Sequence, residues 1–147
     1  MYTTSLASIA LLFLTMVDPA QSINSTVLQD DGQKNLMGEG LELCSSSPLT
    51  GYDRQGYCKT LPDDSGTHTV CAQVDNRFLE YTKSKGNDLS TPRGGFPGLV
   101  EGDSWCLCAL RWRQAQEDGK APKVRFEATN EHTLDYVDSS ILEQFRL

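Results

Sequence analysis

The sequence predicts an α+β domain, a two-layer sandwich in which helices pack on a small mixed or antiparallel sheet, behind an apolar leader. Three observations carry this. A 12-residue apolar run occupies residues 6–17, and no second run of that length follows. Short β-branched or apolar segments then alternate with segments bearing helix caps and apolar positions at helical spacing. Composition, at 38% hydrophobic and 22% charged, is that of a chain that folds around a core.

Residues 6–17 are too few to cross a bilayer, which needs about 20. They fit a signal-peptide core, and Ala20 and Ser22 place small residues where a signal peptidase cuts. Residues 1–22 are therefore expected to be a signal peptide, sending the protein to the secretory lumen or outside the cell, with no stable membrane insertion once it is removed. The competing expectation is an uncleaved leader on a cytoplasmic or organellar protein. Residues 23–34 read as a polar tether carrying the glycosylation sequon Asn24-Ser25-Thr26, and residues 35–147 as one domain.

Within that domain, residues 37–44 alternate weakly and suggest a first strand. Residues 45–56 are dense in turn formers, and 57–60 form a second short candidate strand. Residues 67–74 are β-branched and apolar, a third strand. Asp75 or Asn76 caps a helix running to Lys85, which Gly86 ends. Residues 87–102 form a 16-residue loop with two prolines and four glycines, a length that in compact domains often serves function. Residues 104–110 are apolar almost throughout, as in a central strand covered on both faces. A helix over 111–118, a strand over 124–128, a helix capped by Thr129 or Asn130, and a last helix after Asp138 or Ser139 complete the order.

The formal net charge of −7 opposes a phosphate backbone or an anionic membrane surface, so nucleic acid is not an expected partner. No cofactor and no oligomeric state follow from these residues.

Several ordered motifs stand out: Thr50-Gly51-Tyr52 with Arg54, Gly56 and Cys58; His68-Thr69-Val70-Cys71-Ala72; Gly86-Asn87-Asp88-Leu89-Ser90-Thr91-Pro92; Phe96-Pro97-Gly98-Leu99; and Gly102-Asp103-Ser104-Trp105-Cys106-Leu107-Cys108-Ala109. On these the chain resembles the mainly bacterial domain-of-unknown-function family 2237 over about residues 35–145. The resemblance implies a two-layer α+β fold and no established reaction, cofactor or partner. Relatives tend to have histidine where this chain has Asn130, so a histidine-dependent role there is not expected.

Five cysteines carry the chemistry that is easiest to read: Cys44, Cys58, Cys71, Cys106 and Cys108. At most two bridges and one free thiol can form, and the pairing stays open. In a strand, Cys106 and Cys108 share a face about 6.5–7 Å apart, too far for a mutual bridge, although each can meet Cys71 or Cys44. Buried structural thiols, disulfides of an exported protein and a functional thiol are the three readings. A functional thiol would make Cys71 or Cys106 a nucleophile with His68 as its base. A zinc site from Cys71, Cys106, Cys108 and His68 lacks the paired knuckle spacing of such sites, and no metal is expected.

The polar loop is the better place for a ligand. Asn87, Asp88, Thr91 and Arg93 offer donors, acceptors and both charges beside the apolar floor of Phe96 and Trp105, and Arg54 from the other glycine-rich loop can join Arg93 on an anion. Against this, Asp88 and Thr91 can serve the loop's own backbone. Three function classes follow: an exported small-ligand or partner-binding domain as the leading reading, a thiol-dependent enzyme with or without an assisting metal as its rival, and a structural interaction domain without a pocket.

Overall fold

A computed structural model describes residues 32–147. The expected signal peptide and most of the expected tether lie outside the described residues. The last tether residues are bonded into the domain: the Gln33 side chain donates to the Thr60 carbonyl and accepts from the Thr60 N–H, and Lys34 bridges to Gly40.

The fold is α+β. Three antiparallel strands, β1 (Val70–Gln73), β2 (Ser104–Leu107) and β3 (Lys123–Val124), lie in the order β2-β1-β3. Helices α1 (Asn76–Ser84), α2 (Ala109–Glu117) and α3 (Ser139–Glu143) accompany two 3-10 helices, Phe126–Ala128 and Glu131–Asp135.

The side-chain alternation of β1 and β2 divides the interior. Val70 and Ala72, paired in register with Leu107 and Trp105, point into one cluster with Phe78 and Leu79 of α1, Trp112 of α2 and Leu142 of α3. Fully burying a side chain such as Phe78 contributes about 1.5–3 kcal/mol. The buried indole N–H of Trp112 donates to the Pro122 carbonyl, so its burial leaves no orphan donor. The opposite face holds Cys71 and Cys106, themselves register partners, in a separate cluster with Cys44, Cys58 and Ala128.

Helix α1 forms where the sequence places it. The Asp75 carboxylate accepts from the Phe78 N–H at 2.7 Å, and Gly86 follows at φ +85°, where a residue with a Cβ is strained.

Four strand expectations need correction. Residues 37–44 form no strand because their backbone donors scatter: Leu41 to Gln33, Glu42 to Glu127 and Cys44 to Gly56. Residues 57–60 are likewise irregular, since Thr60 spends its N–H on Gln33. Residues 104–110 are not a central strand; β2 is an edge strand that stops at Leu107, and α2 begins at Ala109, so one apolar run covers a strand and the first turn of a helix. Residues 124–128 yield only the end of β3. There the Thr129 hydroxyl, accepting from the Cys71 N–H, replaces a third strand's ladder bond.

Candidate functional site

Two irregular loops meet at the free edge of β2. Residues 44–58 descend on one side, residues 87–98 on the other, and between them lies a pocket of about 430 Å³ lined by Gly51, Tyr52, Arg54, His68, Leu89, Arg93, Phe96, Trp105 and Cys106. Trp105 and Cys106 are consecutive on an edge strand and point to opposite faces, so a pocket touching both sits at the sheet edge.

The first loop is fastened at both ends. Cys44 is bonded to Cys71 of β1 and Cys58 to Cys106 of β2. Midway between, the buried Thr50 hydroxyl accepts from the Cys106 N–H at 2.8 Å, which occupies a donor on the open edge. Gly51 then turns at φ +93°, where an added Cβ would come within 2.7 Å of the Tyr57 carbonyl oxygen. Arg54 follows at φ +57°, an uncommon conformation for a side-chain-bearing residue. It is held there by Nη1 donating to the Gly51 carbonyl at 3.0 Å and by its guanidinium stacking over Trp105, 4.9 Å from the ring centre.

The second loop is held by its own polar groups. Asp88 accepts from the Ser90 N–H, the Thr91 N–H and the Thr91 hydroxyl, and pairs with Lys83 at 3.4 Å. The Thr91 hydroxyl bond, first among these, holds the Asp88 carboxyl far below the usual carboxylate range. Arg93 donates to the Asp88 carbonyl at 2.6 Å and exchanges backbone hydrogen bonds with Phe96, whose ring packs edge-on against Trp105. Gly98 sits at φ +78° against the Ser90 carbonyl, leaving no room for a Cβ.

The wall between the loops comes from the segment before β1. The Asp64 side chain, 1% exposed, accepts from His68: Oδ2 takes its backbone N–H at 2.8 Å, and Oδ1 lies 2.7 Å from Nδ1. This orients the ring beside Tyr52, with centroids 6.0 Å apart, and leaves Nε2 for other partners.

Of the residues singled out from the sequence, the pocket therefore brings together Arg54, Arg93, Phe96, Trp105, His68 and Cys106. Asn87, Asp88 and Thr91 do not line it. Asn87 donates to Thr82 at the end of α1, and Asp88 and Thr91 bond one another and the loop backbone. Cys71 also lies outside the lining and, like Cys106, is oxidised; a thiolate at either position requires the disulfide to be opened first. Cys108 precedes α2 as the free cysteine among the described residues. Asn130 caps the second 3-10 helix and donates to Gln33, while His132 pairs with Asp135 at the surface. Sequence reasoning missed Tyr52, Leu89 and above all Asp64. An aspartate four residues before a histidine is a common pattern, and only the turn of residues 64–67 makes it a pair.

Electrostatically the pocket is unlike the rest of the molecule. The chain carries −7 overall, yet among the described residues the pocket lining contains two arginines, one histidine and no carboxylate. Among the described residues neither Arg54 nor Arg93 pairs with an acid; each is positioned by a backbone carbonyl instead. No helix among the described residues is long and apolar enough to cross a membrane.

No curated protein matches this sequence. The family described as "Uncharacterized protein conserved in bacteria (DUF2237)" matches residues 34–146, the whole of the described fold but for its ends. The chain belongs to that family.

Proposed function

We propose that this protein is an exported binding domain for a small anionic molecule with a flat apolar part. The observation that carries the reading is the pair of acid-free guanidiniums, Arg54 and Arg93, flanking the rings of Trp105 and Phe96. Guanidinium donors suit carboxylate or phosphate oxygens, and the aromatic rings suit a planar apolar body. Because both arginines are already held by backbone carbonyls, little side-chain freedom remains to be lost on binding. A second cavity of about 410 Å³ shares Arg54, Phe96 and Trp105 with the first, so a longer ligand can extend past the Arg54 ridge toward Leu49 and Pro97. Export is supported by the two disulfides, which persist in oxidising compartments, and by the leader-like residues 1–22.

The test is a panel of aromatic and aliphatic carboxylates and phosphate monoesters, screened by thermal shift and followed by calorimetry. An aromatic anion should raise the Tm, and Arg54→Gln or Arg93→Gln should weaken binding at least about tenfold, as loss of a charge-assisted hydrogen bond does. If no anion stabilises the protein, or both variants bind as the parent does, the reading fails.

One observation favours a second reading: the Asp64-held His68 and Cys106 line the same pocket. With the Cys58–Cys106 bond opened, His68 Nε2 would be the base for a Cys106 thiolate. Trapping by a carbon electrophile after reduction, lost in His68→Gln with the fold intact, would support that reading.

A further inference from the structure

The four bridged cysteines form a group whose arrangement does more than the two bonds require. Cys71 and Cys106 are directly opposed across β1 and β2. Their N–H groups bond the hydroxyls of Thr129 and Thr50 rather than each other's strand. This is the non-hydrogen-bonded kind of antiparallel pair, in which facing Cα atoms lie about 4.5 Å apart and the side chains are closest. Cys44 and Cys58, the two ends of the loop that carries Arg54, come down onto this pair. The sulfurs of Cys44, Cys58 and Cys71 all lie within 4.8 Å of one another, and that of Cys106 is bonded to Cys58 at 2.10 Å. All four side chains are buried, at 0–3% exposure, and among the described residues only Ala128 shares their cluster.

A tetrahedral zinc–thiolate site needs four sulfurs about 2.3 Å from the ion and hence about 3.8 Å apart. Three of the sulfurs, those of Cys44, Cys58 and Cys71, already lie within 4.8 Å of one another, and Cys106, opposite Cys71 in the register and bonded to Cys58, can join them by side-chain rotation once the sulfurs are free. We propose that, in its reduced state, this protein holds one zinc ion on Cys44, Cys58, Cys71 and Cys106, so that the Arg54 loop is anchored to the sheet either by two disulfides or by one metal. Reduction by a dithiol delivers two electrons and two protons to each disulfide, giving four thiols and leaving the reductant as its own disulfide. Zinc then binds the four thiolates and releases four protons. The resulting buried double negative charge lies near Arg125, whose guanidinium reaches the Cys44 carbonyl at 3.1 Å and also pairs with Glu127 at 3.1 Å. The inference does not depend on what the pocket binds.

The test takes the purified chain, reduced with a metal-free phosphine without oxygen, and titrates it with cobalt(II) and then zinc. Expected are one cobalt per chain, with the absorption of a tetrahedral cobalt–thiolate, displaced by zinc. The oxidised chain should give no such signal. Affinity should fall at least about tenfold in Cys58→Ser and stay unchanged in Cys108→Ser. Should the reduced chain, or the serine variant, lose its near-ultraviolet circular dichroism, zinc should restore the signal to the reduced parent and not to the variant. The proposal is overturned by the absence of a cobalt–thiolate band in the reduced parent, by equal binding in the parent and Cys58→Ser, by a loss of binding in Cys108→Ser, or by a reduced, unfolded parent that zinc does not refold.

Discussion

The loop that presents Arg54 is tied to the sheet by sulfur, whereas the loop that presents Arg93 is tied to itself. Residues 44–58 add to their own internal hydrogen bonds a bridge to the sheet at each end and, at their centre, a hydroxyl bond from the Cys106 N–H to Thr50. Residues 87–98 carry no bridge; the Asp88 carboxylate gathers their backbone donors, and a tight crossing of Gly98 over Ser90 closes them. Both deliver a guanidinium to the same pocket without an acidic partner. The difference teaches that an irregular wall can be fixed by long-range covalent ties or by local polar satisfaction, and that the two respond to different perturbations.

The largest expected effect removes the covalent tie. The Cys44→Ala/Cys71→Ala double variant opens a closure with a sequence separation of 27, and should lose about 3–5 kcal/mol from unfolded-chain entropy and packing, lowering Tm by about 10–20 °C. Chemical denaturation with and without reductant checks this; an unchanged midpoint would mean that the loop needs no bridge. Next is the tight crossing of the other wall. Gly98→Ala puts a Cβ against the Ser90 carbonyl at a positive φ, and should cost about 2 kcal/mol, equally in oxidised and reduced protein. A reductant-dependent cost would show that the walls are coupled rather than independent.

A smaller effect separates charge from sulfur. The Asp88 carboxyl is held below its ordinary value of 3.8 in the folded protein, mainly by the Thr91 hydroxyl. Its folded-state value is therefore the lower one, so its contribution is complete above about pH 4 and fades as pH falls below that, toward the folded value. The Tm difference between parent and Asp88→Asn should narrow on acidification, while the disulfide contribution stays level. Smallest, and outside both walls, is the clasp between α1 and α2. Tyr81 lies 2.7 Å from Asp118, and Lys85 from the same carboxylate at 3.2 Å. Burial first, then the Asp118 hydrogen bond, pushes the Tyr81 hydroxyl from 10.0 up to about 12. Because the folded value is raised, the clasp contributes below about pH 10 and weakens as pH climbs toward 12. A spectrophotometric titration should show a tyrosinate step near 12 that disappears in Tyr81→Phe, with no change at the pocket.

Much of this was legible in the sequence where interactions are local. Asp75 three residues before Phe78, followed by Gly86 at the end of an amphipathic segment, announces α1 because a cap and its donor are neighbours in the chain. Arg54, Arg93 and Trp105 stand out together in the sequence because anion binding needs cations near an apolar floor, and the structure brings them to one pocket. Asp88 and Thr91 stand in the same segment and serve the loop, since the backbone donors nearest the Asp88 carboxylate are only two or three residues away. The continuous apolar run of residues 104–110 misled because burial on both faces marks either a central strand or a strand entering a helix, and periodicity over seven residues does not separate the two.

By itself, then, the sequence determined the α+β class, the start of α1, the acidic composition and the residue types available for a site, all of which depend on composition or on near neighbours. The tertiary structure alone decided which cysteines pair, that β2 lies at an edge, and that Asp64 holds His68 at the wall of a cationic pocket. The pairing and the edge depend on strand register and on where two long loops return, since partners 27 to 58 residues apart leave no periodic trace in the chain between them. Asp64 and His68, only four residues apart, meet because of the turn over residues 64–67.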